Sequence, residues 1–244
     1  MVNRPLTLVT GGSRGIGAAT VHRLASAGHD VVVGFHRDEQ AARRVVEDAE
    51  SQGATALAVR ADVTEAEEVD ALFDAAGELG TLSGVVNNAG ATLHLGDLAD
   101  TPPDVVRRVV ELNLTAAILV ARRAAIDLVE GGVIVNVSSG AATLGSPHEY
   151  VHYAAAKAGV DALTLGLGSE LAPRGIRVNG VAPGLILTDI HAGAGDPDRP
   201  ARMAPHVPLG RAGTPEEVAE AIAWLLSDAC PYVTGATLRV AGGR

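Results

Sequence analysis

Apolar positions in this chain fall into short β-branched runs, separated by longer stretches with the three-to-four spacing of helices. Runs at 6–10, 31–33, 56–59, 84–87, 133–137, 176–179 and 236–240 predict strands. Stretches at 16–27, 38–51, 64–79, 103–129, 151–171 and 215–227 predict helices, the fourth long enough to bend. Gly28 and Gly53 stand where a helix C-terminus favours glycine. Thr64 and Glu67 have the spacing of a capping box.

Strands that are apolar almost without interruption are buried on both faces, as in a parallel sheet covered by helices. Regular β–α alternation then predicts an α/β fold: a Rossmann-type, doubly wound, parallel seven-stranded sheet with helices on both faces. No linker, repeat or low-complexity tract divides residues 1–244, so a single domain is expected. One segment breaks the rhythm. Residues 189–210 contain Gly193, Gly195, Pro197, Pro200, Pro205 and Pro208 and read as a lid-like insertion.

Composition narrows the partners. A net charge of −10 argues against nucleic acid and anionic membrane, but not against an anionic ligand in a local site. Three Tyr, two Phe and one Trp leave the core to Val, Leu, Ile and Ala. Cys230 is alone, so no intrachain disulfide can form, and a reducing, cytoplasmic setting is expected. No apolar run approaches the roughly 18 residues that suggest a membrane span. Residues 1–5 lead straight into the first strand with no pattern of a signal or transit peptide. The eight histidines show no metal-ligand spacing, so no metal is expected.

The first strand ends in Thr10-Gly11-Gly12-Ser13-Arg14-Gly15-Ile16-Gly17. Glycines allow a tight turn and close backbone approach, and the free N–H groups of the following helix suit a pyrophosphate. No Gly-Lys-Ser/Thr occurs, which disfavours an ATP or GTP hydrolase and leaves a dinucleotide site. After Val33 come Gly34, Phe35, His36 and Arg37, with no acid before Asp38. An acid here favours NAD and a base favours NADP. Arg14 and Arg37 can flank a 2′-phosphate, while Asp38 and Glu39 suit the next helix N-terminus. NADP (NADPH) is therefore favoured, with NAD the alternative.

Tyr153 and Lys157, four residues apart, share a helix face. The pair alone is a weak signal. Yet Lys157 is the single lysine among nineteen Lys and Arg residues. An ammonium is a compact charge that can sit close to a phenol in a way a guanidinium cannot.

Together the glycine turn, Asn87-Asn88-Ala89-Gly90, Asn113, Ser139, Tyr153-x-x-x-Lys157 and Pro183-Gly184 follow the order of classical short-chain dehydrogenases/reductases. The resemblance spans the chain down to Tyr232-Val233-Thr234-Gly235 and Val240-Ala241-Gly242-Gly243. It is closest in kind to 3-oxoacyl-acyl-carrier-protein reductase-like and glucose dehydrogenase-like members. It implies that Tyr153 is the general acid in carbonyl reduction and that Ser139 polarises the substrate oxygen. Lys157 would bind the nicotinamide ribose and lower the pKa of Tyr153, and Asn113 would help hold a water behind Lys157. The resemblance further implies cofactor contacts from Gly11, Ser13, Arg14, Gly15, Ile16 and Gly17. His36, Arg37, Asp62, Val63, Asn88, Ala89, Gly90, Pro183, Gly184, Ile186 and Thr188 complete that set, with Asp62 at the adenine and Thr188 at the carboxamide.

Some assignments stay local and open. Ser138 and Ser139 point to opposite faces, and the family pattern favours Ser139. Tyr150 competes with Tyr153 but lies roughly 10 Å from Lys157 by helical rise. Tyr150 can instead line the substrate pocket, with His94, His148, His152 and His191 as further candidates. Residues 154–171 are small or apolar around most of the helix, which predicts a subunit interface and, with the family, a homotetramer. NADPH-dependent reduction of a small-molecule or carrier-bound carbonyl is the favoured activity. An NAD-dependent dehydrogenase of an alcohol or sugar is the alternative, and a non-catalytic dinucleotide sensor a distant one.

Overall fold

A computed structural model describes residues 4–244; the first three residues of the expected leaderless start lie outside the described residues. The strands are β1 (Leu6–Thr10), β2 (Asp30–Phe35), β3 (Ala56–Arg60), β4 (Leu82–Asn87), β5 (Val133–Val137), β6 (Arg177–Pro183) and β7 (Thr237–Val240). They form one seven-stranded sheet in the order β3-β2-β1-β4-β5-β6-β7, every pair parallel. The helices of the frame are α1 (Gly15–Ser26), α2 (Glu39–Ser51), α3 (Ala66–Leu79), α4 (Pro103–Val110) and α5 (Ala116–Asp127). They continue with α6 (Ala141–Leu144), α7 (Val151–Leu171), α8 (Ile190–Gly193), α9 (Arg199–Met203) and α10 (Pro215–Leu226).

Alternation along each strand divides the core in two. Val9, Val31, Val33 and Val135 pack with Val21 and Leu24 of α1, Val45 of α2 and Ile222 of α10. Leu8, Val32, Val85 and Ile134 pack on the other face with Leu72 and Phe73 of α3 and Val120 of α5. Double burial explains the unbroken apolar runs, and the doubly wound fold expected from them is present. Gly28 and Gly53 close their helices in left-handed conformation, at φ +91° and +82°.

Two expectations need correction. The helix expected at 103–129 is broken into α4, a π-type turn at Glu111–Thr115, and α5. The Asn113 amide donates to the carbonyls of Val109 (2.9 Å) and Ala91 (2.7 Å), so a side chain enters the helix ladder and widens it. The Thr64–Glu67 capping box is absent. Asp62 Oδ1 takes the Thr64 hydroxyl at 2.7 Å, and α3 starts only at Ala66. The reciprocal box forms instead between Thr214 and Glu217 at the start of α10. The 189–210 segment, expected as a lid-like insertion, carries α8, α9 and a 3-10 turn at Ala204–His206. The short helix α6, after β5, had no sequence signal. Among the described residues, no helix is long and apolar enough to cross a membrane.

Candidate active site

Winding reverses between β1 and β4, and a crevice opens beyond the carboxyl ends of the strands on either side of that reversal. The crevice is a cleft of about 610 Å³. Every catalytic or cofactor residue expected at the site lines it except Asn113, which stands behind the wall.

At the phosphate end, Gly11 and Gly15 adopt left-handed φ of +63° and +53°. A Cβ on Gly17 would fall on the Gly11 carbonyl oxygen, so only glycine fits there. The Asn88 side-chain amide donates to the carbonyls of Thr10 (2.9 Å) and Gly11 (3.1 Å), while Thr10 Oγ1 accepts from the N–H of Asn88 (3.0 Å) and Ala89 (3.1 Å). The turn is thus tied across to the end of β4. Helix α1 has no side-chain cap and no acid in its first turn, which leaves its first N–H groups free to meet an anion. Ser13, Arg14 and Ile16 line the cleft beside it.

At the next stretch, His36 and Arg37 follow β2 into the cleft wall. Asp38 also lines the cleft, but its carboxylate caps α2, with Oδ1 accepting from the Ala41 N–H at 2.9 Å. Asp62 lies beyond β3, with Val63 beside it in the cleft. Burial opposes ionisation of Asp62, but hydrogen bonds from the Thr64 hydroxyl and N–H, with His36 and Arg108 nearby, hold its carboxyl below the usual range. His36 Nε2 stands 3.4 Å and Arg108 Nη2 3.7 Å from Asp62 Oδ2. Arg108, on α4, lines this end and had not been expected. Nothing in its local sequence separates it from Arg107; only the docking of α4 does.

At the reactive end, β5 delivers two serines to opposite sides. Ser138 is buried and donates to the Lys157 carbonyl at 3.2 Å, a structural contact. Ser139 and the buried Tyr153 phenol both line the cleft, and the Ser139 hydroxyl accepts from the Ala141 N–H at 3.2 Å. The Lys157 ammonium sits 5.8 Å from the Tyr153 ring centroid and donates to the Val137 carbonyl at 2.8 Å. Asn113 Oδ1 is buried and has no partner. A Cβ on Gly90 would stand 2.6 Å from that oxygen and 3.5 Å from Lys157 Nζ, so Asn113, Gly90 and the ammonium meet in one place. An orphaned acceptor beside a buried ammonium is a fit for a bridging water. Pro183, Gly184, Ile186 and Thr188 close this end, and the Thr188 methyl approaches Gly15. A pyrophosphate-sized anion at the turn and a ribose beside Lys157 suit this donor set, which fits a dinucleotide.

Burial, opposed by the neighbouring Ser139 hydroxyl, pushes the Tyr153 phenol above its ordinary value. Burial, not the Lys157 charge, dominates the phenol here, so the depression expected from Lys157 is absent. Burial also brings the Lys157 ammonium down to about 8, against a raising influence from Asp161. Tyr150, in the cleft wall, packs edge-on against Tyr153 with centroids 5.4 Å apart. Of the candidate histidines, His191 lines the cleft and bonds the Ile186 carbonyl at 3.0 Å. His148 does not line it: it is exposed and pairs with Asp97. His94 and His152 also stay out of the lining, their rings 6.5 Å apart behind it.

Residues 11–244 match the family described as Enoyl-(Acyl carrier protein) reductase. The chain is 43% identical to the uncharacterized oxidoreductase YgfF of Escherichia coli, over 98% of this chain and 99% of that one. It is 44% identical to 3beta-hydroxysteroid dehydrogenase 1 of Eggerthella lenta, over 97% and 92%. A short chain dehydrogenase from Burkholderia cenocepacia, solved in complex with NADP, superposes with a TM-score of 0.92 at 34% identity, covering 98% of this chain and 97% of that one. The protein is an oxidoreductase. It belongs to the short-chain dehydrogenase/reductase family.

The buried ammonium has a measurable signature. Below about pH 8 the lysine is charged in both states and the fold bears the cost of burying it. Between about 8 and the ordinary 10.5, the folded lysine loses its proton while the unfolded one keeps it, so stability rises with pH. Denaturant unfolding should therefore show wild type gaining on Lys157→Met from pH 7 to 10. A pH-independent difference would contradict the burial argument.

Proposed function

We propose that this chain uses NADPH to reduce a ketone or 3-oxoacyl carbonyl to a secondary alcohol. The observation that carries the reading is the cluster of Ser139, Tyr153 and Lys157 at one end of a cleft whose other end is the glycine turn. The nicotinamide supplies the hydride when bound. Ser139 and Tyr153 donate hydrogen bonds to the carbonyl oxygen and stabilise the charge that develops on it. Tyr153 would give its phenolic proton to that oxygen as the carbonyl is reduced to the alcohol. The phenol, pushed up by burial, is protonated at neutral pH, as a free tyrosine would be, and this is the form needed in this direction. Lys157, held by the Val137 carbonyl at 2.8 Å, would bind the cofactor ribose and keep a positive charge beside Tyr153. Asn113 Oδ1 anchors a water beside the lysine.

NADPH is preferred over NADH because Arg14, His36 and Arg37 are the groups at the 2′ position and Asp38 is taken up in capping α2. The substrate end is walled by Leu93, Leu95, Ile190 and Ala194, which favours an apolar body. Likeness to a hydroxysteroid dehydrogenase supports a secondary alcohol or its ketone as the reacting pair. The chain acts as a cytoplasmic homotetramer. Ala155, Ala158 and Ala162 lie exposed along α7, with Leu165 61% exposed, a surface suited to a second copy.

Three measurements test these statements. Tyr153→Phe should cost at least about a hundredfold in turnover, the usual scale of general acid catalysis, with NADPH binding retained. Near wild-type turnover in that variant would refute the mechanism. Dissociation constants should favour NADPH over NADH, with Arg37→Ala narrowing the gap; a clear NADH preference overturns the cofactor choice. Light scattering should give four times the 24.7 kDa chain mass, and a single-chain mass would rule out the α7 interface.

A further inference from the structure

Among the described residues, two Lys or Arg side chains are buried, Lys157 and Arg199, each 4% exposed. The catalytic arrangement accounts for Lys157 and leaves Arg199 without a role. Arg199 opens α9, inside a mostly exposed segment, and reaches the turn that precedes α7. One nitrogen carries all its side-chain hydrogen bonds. Nη2 donates to Glu149 Oε1 (2.7 Å), Glu149 Oε2 (2.8 Å) and the Tyr150 hydroxyl (2.9 Å). The guanidinium carbon stands 5.3 Å from the Tyr150 ring centroid. That ring is the one packed against Tyr153. Arg199 therefore sits on the cleft wall one aromatic ring away from the proton donor.

A guanidinium that serves only to latch a loop would meet a carboxylate with two nitrogens, fork to fork. Here Glu149 takes one nitrogen with both its oxygens. Nε and Nη1 have no hydrogen bond among the described residues and are not fully buried, and the Arg199 side chain lines the cleft. Unused donors at the edge of a largely buried cation are open to a ligand oxygen, which would replace water there. Glu149 both orients the group and cancels its charge, so the wall presents directed N–H donors rather than a bare positive field. The Glu149 carbonyl also accepts from the Gly96 N–H at 2.7 Å, which holds the neighbouring cleft loop to the same point.

We propose that Arg199 is a specificity-determining residue whose free N–H groups bind an acceptor oxygen on the substrate, one aromatic ring beyond the reacting carbonyl. The substrate class that fits is a ketone, or the matching secondary alcohol, with an apolar body and a distal carboxylate, carboxamide or ester. This rests on the carbonyl-reductase reading above.

Matched ligands test it: one cyclic ketone bearing a distal methyl, carboxamide or carboxylate, titrated calorimetrically into the protein with saturating NADP+. Wild type should bind the acceptor-bearing ligands about tenfold tighter than the methyl analogue, the scale of one hydrogen bond to a charged donor. The ratio should collapse toward one in Arg199→Met. Arg199→Lys serves if that variant does not fold, and it should also lower the ratio, because an ammonium taken up by Glu149 has no fork to present. Glu149→Gln leaves the guanidinium uncompensated and should shift preference from carboxamide to carboxylate. An unchanged ratio in the Arg199 variants overturns the proposal. Equal weakening of all three ligands also overturns it, since that is the mark of a purely structural latch. The two readings fail separately: a preserved binding ratio without ketone turnover sinks the reductase reading, and turnover without the ratio sinks this one.

Discussion

The junction between β1 and β4 is the constraint on which the site depends. Neighbouring strands there lead to helices on opposite faces, so their carboxyl ends cannot both be covered by one connection. Asn88 and Thr10 bind the two ends to each other through four hydrogen bonds, and in doing so satisfy carbonyls of the glycine turn that no helix or strand claims. The free N–H groups of α1 are left to face outward. A phosphate site follows from backbone that has nowhere else to bond.

The other end depends on charge taken out of water. Lys157 is buried on α7 against the end of β5, and its one protein acceptor is the Val137 carbonyl. Burial lowers the ammonium and raises the phenol next to it, so both groups are moved away from their free behaviour by the same cause. The π-type turn at Glu111–Thr115 completes this corner. It swings Asn113 in so that its amide nitrogen bonds Ala91 and Val109 while its oxygen is left unpaired toward Lys157 and Gly90. A widened helical turn and an unsatisfied atom thus stand beside the reactive groups. Arg199 follows different rules. Its charge is cancelled by Glu149, and what it offers the cleft is direction.

The cleft differs along its length. Glycine and backbone N–H groups make the phosphate end, hydroxyls and an ammonium make the reactive end, and the substrate end is built from residues far apart in sequence. Leu93, Tyr150 and Arg199 meet there only because α7 and the 189–210 segment fold back over β5 and β6. Loops on a rigid sheet can vary in this way without disturbing the hydride geometry.

Much of this protein was determined by its sequence alone. Seven apolar runs and their alternation with helices specify a parallel, two-faced sheet, because burial on both sides leaves no other reading. Gly11 to Gly17, Tyr153 and Lys157 were legible because each rests on a backbone or spacing constraint local to a few residues. Tertiary structure alone decided the rest. Thr64 gave its hydroxyl to Asp62 rather than to its own helix, the helix at 103–129 opened around Asn113, and Arg108 was set apart from Arg107 by the docking of α4. The phenol moved up rather than down for the same reason. Competition for one hydrogen-bond partner, and the loss of water around a charge, depend on neighbours that spacing along the chain does not specify.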